Sequence, residues 1–350
     1  MTAVAQASRL ELRELSAGEV PEWDALVRRF SNHRVTHTLA WLRSLEASGF
    51  GRARLLVFER EGEVVGCLPG LSHDLGPVRL FGSPPPASQT VSMGPAFDEA
   101  RISTGEMLGA LIPYLEHRLG IHHIEIMSPD LDPGTMLTLG FRGEPWPTYR
   151  MPLDPADEGR TFKRLKDSAR RNVTRGIKLG LEVRFETDEQ FVAEHYEQIK
   201  EVYVRGGHVV NFSRRRVIEC FRRLRESGNL VAVSVYLPGV ESSIASGMFT
   251  IEGTELLLWT WAHRAKHRWH RPTELMTWTV IQRALKAGCR TFDLMGLGDF
   301  KTRFGAERDD RKYRWVRSRY RWLGRVRDLA ARGMLWQQIL RGRVARWGRA

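Results

Sequence analysis

ELLLWTWAHRAKHRWHRPTELMTWTVIQRALKAGCRTFDLMGLGDFKTRFG, residues 255–305, is the stretch on which the fold turns. It opens with an apolar strand from Glu255 to His263. A basic loop, Arg264 to Arg271, leads to Pro272 at the first position of a helix. That helix runs to Ala287, with Gly288 just past its end. Arg290 to Leu294 reads as a second strand. Gly296 to Phe304 reads as a glycine-rich loop and short turn. Strand, helix and strand in this order belong to a sheet covered by helices.

Working outward, Leu230 to Tyr236 and Ser243 to Ile251 precede Glu255–His263 as consecutive strands, with turns at Pro238-Gly239 and Glu252-Gly253. Before them come a long basic helix over 159–179, a strand over Glu182 to Glu186, and helices over Asp188 to Val204 and Arg214 to Glu226. Tyr313 to Arg319 is a final strand. The first half runs through the same order. Leu10 to Leu15 is a strand, Ala17 to Phe30 a helix capped by Ser16, and Thr38 to Ala47 a second helix. Strands over Arg54 to Glu59 and Val64 to Leu71 flank a hairpin signal at Glu61-Gly62. Val78 to Phe81 is a short strand, Thr104 to Leu119 a helix, His123 to Met127 a strand, Pro133 to Leu139 a short helix, and Thr148 to Leu153 extended. No short repeat of roughly 20–50 residues occurs, so a solenoid is excluded. The expected architecture is α/β (α+β), with two tandem domains over 1–153 and 154–322. Each is a mixed β-sheet flanked by helices, followed by a basic amphipathic tail over 323–350.

The bulk properties agree. The chain has 350 residues, 42% hydrophobic and 27% charged, which is a globular composition. Its net charge of +13 is uneven: residues 1–150 sum to −4 and residues 151–350 to +17. A basic second half suits an anionic partner such as a CoA-type co-substrate, RNA or an anionic lipid surface. It also suits solvated arginine faces. No apolar run approaches the ~20 residues of a membrane span, and Met1 to Arg9 shows no signal-peptide pattern. Cys67, Cys220 and Cys289 are widely spaced, and Cys220 and Cys289 lie in apolar patterns, so core packing is expected rather than a disulfide, zinc site or nucleophile. The chain reads as cytoplasmic, or peripheral at the inner membrane face. No metal-ligand spacing is present.

Two segments carry a family resemblance. Asp167 to Leu181, with Arg170-Arg171-Asn172 and Gly180-Leu181, is similar to the basic "RRN" helix and "GL" strand entry of the FemAB-like, CelD-type branch of the GNAT acyltransferases. Phe292 to Gly305 resembles that branch's strand-end Asp, glycine loop and "K..FG" signature. The resemblance covers the second half well and the first half in element order. It implies an N-acyltransferase that uses acyl-CoA, acetyl-CoA above all, on an amine of a sugar, cell-envelope, polysaccharide or lipid-linked precursor. An aminoacyl-tRNA-dependent ligase of a cell-wall precursor is the alternative within the branch. A non-catalytic anion- or RNA-binding protein is the alternative outside it. The glycine pair that usually precedes the central GNAT helix is absent from Arg264–Pro272, which leaves the donor open.

The residues then take expected roles. The helix start near Thr273, with Lys266, Arg268 and Arg271, is the candidate grip for a pyrophosphate. Trp261 offers a backbone N–H to an oxyanion. Trp259 and Trp261 share a face by period two, as groove or as core. Lys301 is the leading catalytic candidate, neutralising developing charge; the bland reading pairs it with Asp299 on the surface. His263 and Asp293, placed at adjacent strand ends, are candidate bases, although Asp293 could instead fix the loop. Arg171 and Arg175 share a helix face that could receive an anionic acceptor, and Asp299, Phe304 and Gly305 complete the substrate side.

In the tail, arginines from Arg317 to Arg349 alternate with Val326, Leu329, Leu340, Val344 and Trp347 at helical spacing. This fits a helix on an anionic membrane surface, or one packed with its arginines outward. If the tail is the membrane contact, a chain lacking residues 324–350 loses binding to anionic vesicles in a co-sedimentation assay. Unchanged binding excludes that role.

Overall fold

The computed structural model describes residues 9–320 and 322–329. They divide into two units, the first made of 9–145 and 311–324, the second of 146–310 and 325–329. In chain order the first unit holds β1 (Glu11–Glu14), β2 (Arg52–Arg60), β3 (Glu63–Leu75), β4 (Val78–Ser83), β5 (Ala96–Phe97), β6 (His123–Ser128) and β7 (Arg142–Pro145). The second holds β8 (Thr148–Pro152), β9 (Glu182–Glu186), β10 (Leu230–Tyr236), β11 (Ala245–Glu252), β12 (Glu255–His263), β13 (Thr291–Asp293) and β14 (Glu307–Asp309). The last strand, β15 (Tyr313–Ser318), returns to the first unit.

The first sheet runs β1-β2-β3-β4-β6-β15-β7, with β5 beside β3, and the second runs β14-β8-β13-β12-β11-β10-β9. Two mixed sheets flanked by helices are therefore present, as expected. The boundaries at 153/154 and 322/323 need correction. β8, expected to end the first domain, pairs with β13 and β14 of the second sheet. β15, expected to end the second, pairs with β6 and β7 of the first. The two closing strands are exchanged. Alternating side chains show that a strand has a buried face, not which sheet buries it. Met151 lies in the core of the second unit and Trp315 in the core of the first.

The long basic helix is two helices, Glu158–Arg164 and Asp167–Lys178. Leu165 between them is extended and buried. The break has a visible cause. Lys166 sends its N–H to the Arg303 carbonyl at 2.9 Å instead of up its own helix. The second helix buries Ala169, Val173 and Gly176, while Ile177, four residues beyond Val173, is exposed. A spacing of four drifts off a 3.6-residue turn, so Gly176 takes the contact. A Cβ there would stand 3.1 Å from Leu275 on the helix Pro272–Lys286. That helix buries Leu275, Met276, Val280, Ile281 and Ala284 in the core of the unit.

Helices Gln190–Arg205 and Arg214–Glu226 pack on β10, β11 and β12. His195 is fully buried between the Ser246 and Thr260 hydroxyls, at 2.7 and 2.8 Å, and burial pushes its pKa down to about 3. In the first unit, Ser16 does not cap a long helix; a short 3-10 turn, Val20–Glu22, and the helix Trp23–Val27 stand there. Thr38 caps Leu39–Ala47, and Ser103 with Glu106 forms a capping box for Thr104–Pro113. Cys67, Cys220 and Cys289 are buried thiols. Among the described residues, no helix is long and apolar enough to cross a membrane, and no group of three metal-ligating side chains occurs. From residue 330 on, the predicted tail lies outside the described residues.

Trp315→Ala should cost about 3–5 kcal/mol, the usual range for emptying a buried Trp site. Hydrogen exchange should then show lost protection in β6 and β7, with β10 to β12 retained. Loss confined to the second sheet would contradict the strand exchange.

Candidate active site

β12 and β13 run parallel for three pairs only: Glu255 with Thr291, Leu256 with Phe292, and Leu257 with Asp293. The Asp293 carboxylate ends the pairing. It accepts from the Met295 N–H and from the Thr148 hydroxyl, both at 2.7 Å. Met295 (φ 49°) and Gly296 (φ 70°) then turn the chain away in left-handed conformations. β12 continues to His263 with β11 on one edge and an opening on the other. The Arg264 N–H bonds to the Ile244 carbonyl at 2.9 Å. By the alternation of an antiparallel ladder, Ala262 faces β11, and the backbone groups of Trp261 and His263 face the opening. In the first sheet the equivalent parallel pair, β4 and β6, stays joined to Ser83, the last residue of β4.

The opening holds a cavity of about 320 Å³. Its walls come from the end of β12, from Arg268 and Arg271 to Glu274 at the helix start, and from Leu297, Gly298, Phe300 and Lys301. Lys301 donates to the carbonyls of Met295 and Gly296, the latter at 3.2 Å. Burial lowers its pKa to about 8, against the upward pull of Asp293. Trp261 meets the Phe300 ring edge-on at 5.6 Å and lies 5.9 Å from Phe304. His263 accepts at Nε2 from the Arg205 guanidinium at 3.2 Å. Burial, then Arg205, pushes the His263 pKa down to about 4, so the ring is neutral at pH 7.

Of the residues expected from sequence, the cavity brings together Lys301, His263, Trp261, Arg268, Arg271 and Thr273. The others stand elsewhere. Asp293 sits opposite Leu257, six residues before His263, so the two are not at adjacent strand ends. Its carboxylate holds the turn. Lys266 is exposed and off the cavity wall, and Arg171 and Arg175 are exposed on the helix Asp167–Lys178. Asp299 is exposed, and Lys301 binds backbone carbonyls rather than Asp299.

Trp259 and Trp261 do not share a face. A bulge between Met248 and Phe249 of β11 leaves Trp259 as the extra residue of β12. Trp259 is buried against Phe212, with the buried Arg216 guanidinium 5.3 Å from its ring, while Trp261 points at Phe300 and Phe304. Phe304 is fully buried core. Gly305 (φ 74°) is structural, because a Cβ there would lie 2.2 Å from the Arg164 carbonyl oxygen.

Sequence reasoning missed Glu274 and its partners. Glu274 is buried in the first turn of its helix and lines the cavity. Asn172 donates to its Oε1 at 2.8 Å, and Arg303 stands 3.8 Å away. Burial raises its pKa, opposed by the Asn172 hydrogen bond and by Arg271 and Arg303. The signal was present in the "RRN" segment, where the Asn, not the neighbouring arginines, reaches the site.

Residues 160–309 match the family model described as an acetyltransferase (GNAT) domain. No curated protein matches the chain. Among solved structures, that of FemX is 15% identical with a TM-score of 0.71, covering 87% of this chain and 96% of its own. A tandem GNAT protein from the clavulanic acid biosynthesis pathway is 15% identical, with a TM-score of 0.54 and coverage of 89% and 99%. L-PGS from Bacillus licheniformis is 11% identical, with a TM-score of 0.51 and coverage of 91% and 97%. At these identities the likeness is one of fold.

A GNAT domain implies an acyl-CoA donor, and the site fits it in part. The free edge of β12 suits an extended amide-containing arm. The helix start has uncapped first-turn amides, but the Glu274 carboxylate stands among them. The loop before it is a 3-10 helix, Ala265–His270, whose flanking amides are already engaged: Ala265 with Glu201, His267 with Arg264, and Arg271 with Arg268. Pro272 has no N–H. A helix end contributes ~0.3–1 kcal/mol to an anion. An ionised Glu274 would oppose that attraction, while Arg271 and Arg303 beside it would offset part of the opposition.

Lys301→Met should keep the fold and cut turnover about 10²- to 10³-fold, the range for removing one oxyanion-stabilising group. The Lys301 pKa of about 8 lies below its ordinary 10.5. Between these values the unfolded chain binds more protons, so this group makes stability rise with pH across that window. Chemical denaturation of wild type and Lys301→Met from pH 7 to 11 should show the rise shrinking in the variant. Equal slopes and undiminished turnover would remove Lys301 from the site.

Proposed function

We propose, on the premise that this chain carries a GNAT acetyltransferase domain in its second half, that it transfers an activated acyl group to an amine in the cleft between β12 and β13. The acceptor class that fits the reading is an amine of a sugar, cell-envelope or polysaccharide precursor, lipid-linked or free. The observation that carries the reading is the early end of the β12–β13 pairing. It leaves an unpaired backbone edge and the Lys301 ammonium on one cavity.

The chemistry follows from those parts. The acyl arm lies along the open edge of β12 as an added strand would. The acceptor nitrogen attacks the acyl carbon, and the carbonyl oxygen becomes an oxyanion. Backbone N–H groups at Trp261 or His263 face that side, and Lys301 supplies positive charge. The nitrogen attacks as the neutral amine, its ammonium proton having been lost beforehand; collapse of the intermediate breaks the bond to the carrier, and the carrier leaves with the proton that the attacking nitrogen gives up as it becomes an amide. Trp261, Phe300 and Leu297 give that side an apolar wall. His263 is a weak base, with a pKa near 4 and its Nε2 already accepting from Arg205. Glu274 and the deprotonated fraction of Lys301 are better placed to receive a proton.

Acetyl-CoA as donor is the reading that follows from the GNAT resemblance. An aminoacyl-tRNA donor is favoured by one specific observation, the Glu274 carboxylate at the helix start. The exposed basic residues Arg171, Arg175, Lys266 and Arg268 suit a phosphodiester chain. A peripheral contact of the tail with an anionic membrane would bring the enzyme to a lipid-linked acceptor.

The deciding experiment offers the purified protein acetyl-CoA, longer acyl-CoAs and aminoacyl-tRNA with amino-sugar and lipid-linked amine acceptors, and detects the amide by mass spectrometry. Transfer with one donor class, lost in Lys301→Met, is expected. Binding without turnover, indifferent to Lys301, would make the protein a non-catalytic anion binder.

A further inference from the structure

The start of the helix Pro272–Lys286 is the one point of the cleft where a phosphate would find a favourable dipole, and the chain puts its own carboxylate there. We propose that Glu274 is a specificity-determining residue that bars diphosphate-bearing acyl carriers from this cleft. The activated acyl group then arrives on a carrier whose phosphates lie outside the helix end. This rests on reading the cleft as an acyl-transfer site.

Three observations converge. Glu274 is 2% exposed and lines the cavity, so the group is enclosed rather than lost to solvent. It is held there by two elements distant in sequence, through Asn172 Nδ2 at 2.8 Å and Arg303 Nη1 at 3.8 Å. The preceding residues form the 3-10 helix Ala265–His270 and Pro272 has no amide hydrogen, so a phosphate at this helix end could use only the uncapped first-turn amides beside Glu274. Arg303, which could have neutralised a phosphate, is engaged with Glu274 and lies 5.3 Å from the Phe300 ring. Arg268 and Arg271 remain on the cavity wall, with Arg268 exposed. Arg268 can meet a phosphate at the exposed edge of the cavity, while Arg271, at the helix N-cap, acts on Glu274 itself.

The test is titration calorimetry of wild type, Glu274→Gln and Glu274→Ala with CoA and with inorganic pyrophosphate. The glutamine keeps an acceptor for Asn172, and the alanine removes the group; thermal unfolding identifies which variants are folded. Wild type should bind neither probe below the millimolar range. Either folded variant should gain at least about tenfold in pyrophosphate affinity, a change of 1.4 kcal/mol. Micromolar CoA binding by wild type, or equal weak binding by all three proteins, overturns the proposal. The two readings fail differently. Acyl-CoA turnover by wild type ends the exclusion and leaves acyl transfer intact. A gain of pyrophosphate binding without turnover on any donor supports the exclusion and ends the acyl-transfer reading.

Discussion

The cleft depends on one hydrogen-bonded carboxylate. Asp293 accepts from the Met295 N–H and the Thr148 hydroxyl, and the chain leaves β12 after three residue pairs. Had β13 continued, its amides would have satisfied the far edge of β12 and no opening would exist. Unpaired backbone edges in a sheet are costly unless solvent or a ligand meets them. The edge at Trp261 and His263 opens onto a cavity with a fixed ammonium at its mouth. In the first sheet, β4 and β6 stay joined through Ser83, so the same architecture keeps that edge closed.

Two segments distant in sequence cross at Lys166 and Arg303. Lys166 reaches Arg303 through its N–H and Thr302 through its ammonium, and Gly305 lets the backbone of Arg164 pass at van der Waals range. The same crossing brings Asn172 and Arg303 to Glu274. The two segments are thus one mechanical unit. The break of the basic helix at Leu165 is the geometric condition for it. The electrostatics that follow are mixed. Arginines sit at the rim and a carboxylate inside, with Lys301 held on carbonyl oxygens and a neutral His263 opposite. A uniformly basic pocket would favour any anion; this arrangement discriminates by position.

The exchange of β8 and β15 makes the two units interdependent in the chain. The first sheet is complete only when residues 313–318 arrive, after every strand of the second has been made. Such long-range pairing raises the loop-closure cost of the first unit. It also means that cutting the chain near residue 153 takes one strand from each sheet rather than separating two domains.

Sequence alone determined what depends on local pattern. It set the order of elements, the helix that begins at Pro272, the buried thiols and the strand–glycine loop around Lys301, because capping, periodicity and turn chemistry act within a few residues. It also pointed to Lys301 through the family resemblance, to Trp261 and His263 through the strand end, and to Arg268, Arg271 and Thr273 through the helix start. Tertiary structure decided the rest. The bulge at Trp259 turned two tryptophans to opposite faces, because one extra residue inverts a period of two. Asp293 became a turn-former, since it accepts from the Met295 N–H and the Thr148 hydroxyl. Phe304 and Gly305 were drawn into packing by the crossing at Arg164. Glu274 gained its place only when Asn172 and Arg303 closed on it from 102 and 29 residues away, distances over which sequence periodicity carries no information.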